Sequence, residues 1–242
     1  MLARGWTVLQ PNYRGSTGYG TAFYEKGEGQ WGLAMQDDLN DAVAHLAKEG
    51  IADPKRVCVA GASYGGYAAM RAAQRDGALY RCTIAYAGVS DLPAMMRYDR
   101  GFLFGRRYAE SWREMTPDLK AVSPLNFPAD FGAPILIVHG KKDLRVPVKQ
   151  SRELAEALRA AGKPVDYIEQ PEADHHFSRE ADRERRAPGS TGRAPHRDDA
   201  RGGGGHLGVG VHAGVRQRDD RVGGGGARLV GPFLGAVVAG GG

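Results

Sequence analysis

Apolar residues along this chain fall into two alternating rhythms. Short runs with β-branched and aromatic content read as strands: "WTVLQPN" (6–12), "RVCVAGAS" (56–63), "YRCTIAYAG" (80–88), "APILIVHG" (133–140) and "VDYIEQ" (165–170). Between them, apolar positions recur three and four apart. In 34–49, Leu39, Ala42, Val43 and Leu46 share one helical face, and Gly50 supplies a stop. The same spacing predicts a helix over roughly 64–76 and another over 148–162, with Leu154, Ala157 and Leu158 together. Strands alternating with helices across short Gly-marked junctions predict an α/β fold, a mostly parallel sheet with helices on both faces.

Two stretches break the rhythm. The span from 89 to 132 carries Met95, Met96, Tyr98, Phe102, Phe104, Tyr108 and Trp112, and it is long for a simple connection. It reads as a helical insertion whose apolar side chains either line a pocket or pack the insertion onto the sheet. The stretch from 184 to 242 is a different kind of polymer. It holds half of the 36 Gly and no Lys, Ile, Tyr, Trp, Met, Cys or Asn. "RGGGGHLGVGVHAGVRQRDDRVGGGG" has no helical or strand period. Such a segment buries too little apolar surface to offset its ordering entropy, so a disordered tail is expected after a folded unit of residues 1–183. The shift in composition near Arg183 is also what a displaced reading frame in a GC-rich gene would produce; an intact frame in the source DNA would overturn that reading.

Charge follows the same division. The net charge is +5, and the tail, with nine Arg against four Asp and one Glu, carries +4 of it. The basic pI near 9.2 therefore belongs to the tail, and no nucleic-acid partner is expected for the folded part. An Arg/Gly-rich tail can bind RNA, but here only Phe233 offers a stacking ring. No run approaches the ~20 apolar residues of a spanning helix, so no membrane partner is expected either. "MLARGWTVLQ" has no apolar core of a signal peptide, and the sequence does not reveal a compartment. Cys58 and Cys82 each sit inside a strand-like run. The expectation for them is buried free thiols rather than a disulfide.

The chemistry gathers around "GASYG" (61–65), where a strand gives way at once to a helix. G-x-S-x-G in that context is a nucleophile elbow. The bend strains the backbone at Ser63, and Gly61 and Gly65 leave room for the close approach. The helix N-terminus behind Ser63 supplies positive potential, and the backbone N–H of Tyr64 is placed to donate to an oxyanion. A serine hydroxyl needs a base. The chain order that accompanies this elbow is Ser, acid, His, with the acid after a later strand and the His after the last. Asp143 lies three residues past "ILIVHG", and His175 lies in the loop after "VDYIEQ". His176 is the rival base, since adjacent side chains point apart and only one can serve. Asp91 and Asp130 are loop acids at the wrong points, His139 reads as a satisfied core histidine, and His45 sits on a helix surface. A zinc site from Glu172, Asp174, His175 and His176 lacks an HExxH spacing or a Cys pair, so no metal and no cofactor are expected.

With these residues in place, the chain resembles the catalytic domain of the prolyl oligopeptidase family of serine peptidases, in particular its bacterial dipeptidyl-peptidase and acylaminoacyl-peptidase branch. The resemblance covers about residues 1–183. It rests on "VLQPNYRGSTGYG" (8–20), "GASYGGYAAM" (61–70), "GKKDLRVP" (140–147) and "DHHF" (174–177). It implies an α/β-hydrolase fold, short peptide substrates and cleavage through an acyl-enzyme. It also implies that Arg145 holds a substrate carbonyl and that Tyr67 lies near the specificity pocket.

The departures are informative. Family members carry a β-propeller and further strands ahead of "ARGWTVLQ", one ending in a loop that supplies a second oxyanion donor. The resemblance thus implies slow turnover for these 242 residues, since one such donor is typically worth ~10² to 10³ in rate. One of those strands lies between "WTVLQ" and "RVCVA", so a bare central strand edge is expected. Past "HHFSREADR" the family continues into an amphipathic helix, which "ERRAPGSTGRAPHRDD" does not provide. The expected function is a serine peptidase of an N-terminally truncated α/β-hydrolase domain. A general esterase on the same triad and an inactive fragment are the alternatives.

Overall fold

The computed structural model describes residues 6–102, 116–184 and 235–240. Six strands among them form one sheet: β1 (Trp6–Leu9), β2 (Val57–Ala62), β3 (Cys82–Tyr86), β4 (Ile135–Gly140), β5 (Val165–Gln170) and β6 (Gly235–Gly240), in the order β1-β6-β2-β3-β4-β5. The pairs β2–β3, β3–β4 and β4–β5 are parallel, as the alternating pattern predicts. The principal helices are α1 (Thr21–Glu25), α2 (Ala34–Lys48), α3 (Tyr64–Arg75), α4 (Leu92–Asp99), α5 (Lys149–Ala160) and α6 (Glu180–Glu184). The predicted strand at 6–12 is cut to four residues, because Gln10, Pro11 and Asn12 leave the sheet.

The sheet packs through one buried core, and a second apolar cluster lies among the helices and loops beside it. One joins Val57, Val59, Ile135 and Ile137 of the sheet to Leu154 and Leu158 of α5 and to Ala69, Met70 and Ala73 of α3. The second joins Met35 and Leu39 of α2 to Tyr64, Tyr67 and Ala68 of α3 and to Leu92 and Met95 of α4. Helix α3 is buried along almost its whole length, which explains its run of small residues. Of the aromatic insertion, Met95, Met96 and Tyr98 pack against the second core, while Phe102 is exposed. Phe104, Tyr108 and Trp112 lie outside the described residues.

Two expectations are overturned. Cys58 and Cys82 are disulfide-bonded rather than free. Parallel β2 and β3 set Cys58 directly opposite Cys82, with Cα atoms 4.7 Å apart, although 24 positions separate them in sequence. The second correction concerns the bare edge. The gap between β1 and β2 is filled by β6, which runs antiparallel to both, pairing Trp6 with Gly240 and Val57 with Ala239. Of the tail expected to be disordered, residues 235–240 are therefore a strand; residues 185–234 lie outside the described residues.

Candidate active site

Ser63 sits between β2 and α3 with φ 57° and ψ −115°. A non-glycine residue in this region is strained by ~1–3 kcal/mol and persists only where its surroundings over-determine it. They do so here. The Ser63 N–H donates to the Tyr86 carbonyl at 2.9 Å, and the Ser63 carbonyl accepts from the Tyr67 N–H at 3.0 Å. Gly61 is required by the bend: a Cβ there would lie 2.3 Å from the backbone carbonyl of Gly65. Tyr64 is the first residue of α3, a position whose N–H has no partner within the helix itself.

The acid and the histidine are brought over Ser63 by the β4–β5 pair. Its register ends at Gly140 opposite Gln170. Two further bonds extend the pairing, from the Lys141 N–H to the Gln170 carbonyl (2.8 Å) and from the Lys142 N–H to the Ala173 carbonyl (3.0 Å). The two following loops thus leave the sheet side by side. The result is a continuous chain: Ser63 Oγ is 3.1 Å from His175 Nε2, and His175 Nδ1 is 2.7 Å from Asp143 Oδ2. An ionised carboxylate only accepts, so His175 Nδ1 carries the proton and Nε2 is left to accept from the Ser63 hydroxyl.

The Asp143 side chain is fully buried. Burial alone would raise its carboxyl. Hydrogen bonds from His139 and His175, the charge of His175 and the Val146 N–H outweigh that and hold it below the usual carboxylate range. Oδ1 accepts from the Arg145 and Val146 N–H groups, both at 2.8 Å. Oδ2 also faces His139 Nε2 at 3.2 Å. His139 is fully buried, and sequence reasoning missed its contact with the acid. The only signal was its place four residues before Asp143, at the end of a strand.

The other predicted residues fall in different places. Tyr67, expected near the specificity pocket, is fully buried, and its hydroxyl donates to the Val122 carbonyl at 3.0 Å. The ring packs α3 into the apolar cluster with Tyr64, Leu92 and Met95. The Arg145 guanidinium is partly exposed, with one nitrogen 3.4 Å from the buried Asp99 carboxylate. His176, the rival base, is exposed and lies edge-on to His175. Of the zinc alternative, Glu172 pairs with Lys142. The Asp174 carboxylate accepts from the His176 and Ser178 N–H groups and the Ser178 hydroxyl. Among the described residues no group of three His, Cys, Asp or Glu side chains could hold a metal ion, and no helix is long and apolar enough to cross a membrane.

Comparison with known proteins gives a consistent picture. The profile of the "Prolyl oligopeptidase family" matches residues 1–188. Dipeptidyl aminopeptidase BIII of Pseudoxanthomonas mexicana is 33% identical over 183 residues, which is 73% of this chain and 27% of that protein. The acylamino-acid-releasing enzyme of Mus musculus is 30% identical over 189 residues, 72% of this chain and 25% of that protein. Among solved structures, a puromycin-hydrolyzing peptidase of Mycobacterium tuberculosis superposes with a TM-score of 0.65 at 30% identity, covering 71% of this chain and 26% of that one. An acylaminoacyl peptidase of Pyrococcus horikoshii does so at 0.61 and 27%, covering 69% and 28%. The chain therefore spans about a quarter of the length of these relatives.

Proposed function

We propose, from the premise that this chain belongs to the prolyl oligopeptidase family, that it is a serine peptidase unit cleaving short peptides through Ser63, His175 and Asp143. The observation that carries the proposal is the unbroken chain from Ser63 Oγ through His175 to Asp143 at 3.1 and 2.7 Å. Ser63 Oγ attacks the scissile carbonyl carbon while its proton passes to His175 Nε2. The oxygen of the tetrahedral species takes the negative charge and is met by the Tyr64 N–H at the head of α3. His175 then gives its proton to the departing amine, leaving an acyl-Ser63. Water, deprotonated by His175, releases the acid and restores the serine. Asp143 holds the Nδ1–H tautomer and balances the imidazolium. Arg145, two residues past the acid, is the candidate hold on a substrate carbonyl. Residues 1–183 form the catalytic unit in this reading.

Short peptides are the proposed substrate class because the similar proteins are named as dipeptidyl and acylamino-acid peptidases. The test is labelling of the purified chain with a fluorophosphonate probe, which forms a bond to Ser63 Oγ and expels fluoride. Labelling that disappears in Ser63→Ala is expected, and labelling retained in that variant would overturn the assignment. Turnover of a dipeptidyl anilide alongside a simple aryl ester then decides between peptidase and esterase; hydrolysis of the ester alone would favour the esterase.

A further inference from the structure

We propose that His139 and Ser151 are positioning residues that lock the Asp143 carboxylate in the orientation His175 requires; this rests on the triad reading above. The structure extends the chain of hydrogen bonds past the acid. His139 Nδ1 lies 2.6 Å from Ser151 Oγ, and His139 Nε2 lies 3.0 Å from the Val146 carbonyl and 3.2 Å from Asp143 Oδ2. The sequence is thus Ser151, His139, Asp143, His175, Ser63, with a carboxylate flanked by two imidazoles.

The roles within it follow from donor and acceptor chemistry. Both neighbours of His139 Nε2 can only accept, so Nε2 carries the proton. In the neutral imidazole Nδ1 is then an acceptor, and the Ser151 hydroxyl is its donor. One tautomer of a neutral imidazole satisfies every contact. In that form His139 lends Asp143 a hydrogen bond without cancelling the negative charge that His175 needs when it takes the Ser63 proton.

The carboxylate is held at four points. Oδ1 accepts two backbone N–H groups at 2.8 Å, and Oδ2 accepts from His175 on one side and His139 on the other. Four donors fill the lone pairs of a carboxylate, and its side chain has no exposure to solvent that could replace a lost one. Removal of His139 leaves an unmet acceptor on the same oxygen that aligns His175. The three supports come from different elements: His139 from the end of β4, Val146 from the loop that follows, and Ser151 from the first turn of α5. The alignment of the acid is thus tied to the docking of α5.

His139 also closes the acid loop through Val146, so the experiment must separate positioning from folding. In the full chain we would compare His139→Leu, which keeps the bulk without a donor, His139→Gln, whose amide nitrogen can reach the Nε2 position, and Ser151→Ala. The readouts are the rate of fluorophosphonate labelling of Ser63, the melting temperature and the low-field proton resonance of His175 Nδ1–H. His139→Leu is expected to label about tenfold more slowly, the scale set by an unmet buried acceptor. His139→Gln should recover most of that rate, and Ser151→Ala should fall between the two. The low-field resonance should shift or vanish in His139→Leu and persist in His139→Gln. Wild-type rates in His139→Leu would overturn the proposal. So would equal slowing in the Leu and Gln variants that tracks melting temperature with the resonance unmoved. If the folded wild-type chain does not label, the peptidase reading fails separately. The resonance still judges this proposal: unchanged in His139→Leu, it sinks it.

Discussion

Ser63 depends on its glycine neighbours in a way that can be measured. Since a Cβ at Gly61 would meet the Gly65 carbonyl at 2.3 Å, no rotamer change relieves Gly61→Ala; the backbone must move. Overpacking of this kind costs ~1–3 kcal/mol, and here the movement displaces Ser63. The expected outcome is a lower melting temperature together with strongly reduced labelling of Ser63. A variant that labels normally would show that the bend tolerates a methyl group. Asp143→Asn tests the other end of the chain. An amide can present its NH₂ to His175 and select the wrong tautomer, for which a loss of roughly 10³ to 10⁴ in acylation rate is expected. A loss below tenfold would mean that the acid does not set the tautomer. Much of this scale was legible beforehand: a serine between glycines at a strand–helix junction, an acid after one strand and a histidine after the next. His139 was not. A histidine at a strand end has the same local pattern whether it meets a backbone carbonyl or a carboxylate, and the fold of the acid loop decides which.

Helices and strands are joined by contacts that local sequence does not announce. Helix α5 is fixed to β5 by Arg152, whose guanidinium donates to both oxygens of Glu169 at 2.7 and 2.6 Å, with the Tyr167 hydroxyl also donating at 2.8 Å. The hydrogen bond from Arg152 holds the Glu169 carboxyl down at about 2, against the burial that would raise it. Its folded value lies below the ~4.3 of an unfolded glutamate, so the unfolded chain binds the proton first as pH falls. The stabilisation is complete above ~4.3 and is lost as pH drops through about 2. The pair is partly exposed, so Glu169→Gln is expected to cost no more than ~1 kcal/mol near neutrality. It should also flatten the acid dependence of the melting temperature. An unchanged acid slope would show that other carboxylates set it.

The same end of α5 supplies Gln150. Its side-chain oxygen accepts from the Ser90 and Asp91 N–H groups at 2.8 and 2.7 Å, joining the loop after β3 to this helix. Between β2 and β3 the disulfide adds a covalent tie. Closing a loop of this size is worth about 3 kcal/mol on chain-entropy grounds. Reduction is expected to lower the melting temperature by several degrees, and a melt unaffected by complete reduction would overturn that. The pairing could not be read from two isolated cysteines. It follows from the register of two parallel strands, which exists only once the sheet has formed.

The whole molecule turns on how a sheet copes with a gap between two of its strands. Strands β1 and β2 stand one strand apart, and their facing N–H and C=O groups need partners. Residues 235–240 supply them from the far end of the chain. Deleting 235–242 is expected to expose amides of β1 and β2, raising hydrogen exchange at residues 6–9 and 57–61 and promoting self-association through the open edges. Protection unchanged by the deletion would mean that these edges do not depend on β6. Because β2 leads straight into Ser63, loss of that support should also slow labelling.

The sequence by itself determined what is local or periodic. Alternating strand and helix patterns fixed the α/β class. The elbow motif singled out Ser63 as a candidate, and the fold's order of loops singled out Asp143 and His175. Each of these depends on residues close together in the chain or on a periodicity any observer can count. Only the tertiary structure decided the rest. It paired Cys58 with Cys82, drew Tyr67 into the core, set β6 between β1 and β2, and placed His139 against the acid. These depend on strand register, helix docking and loop closure. They bring together residues whose separation along the chain carries no sign that they will meet.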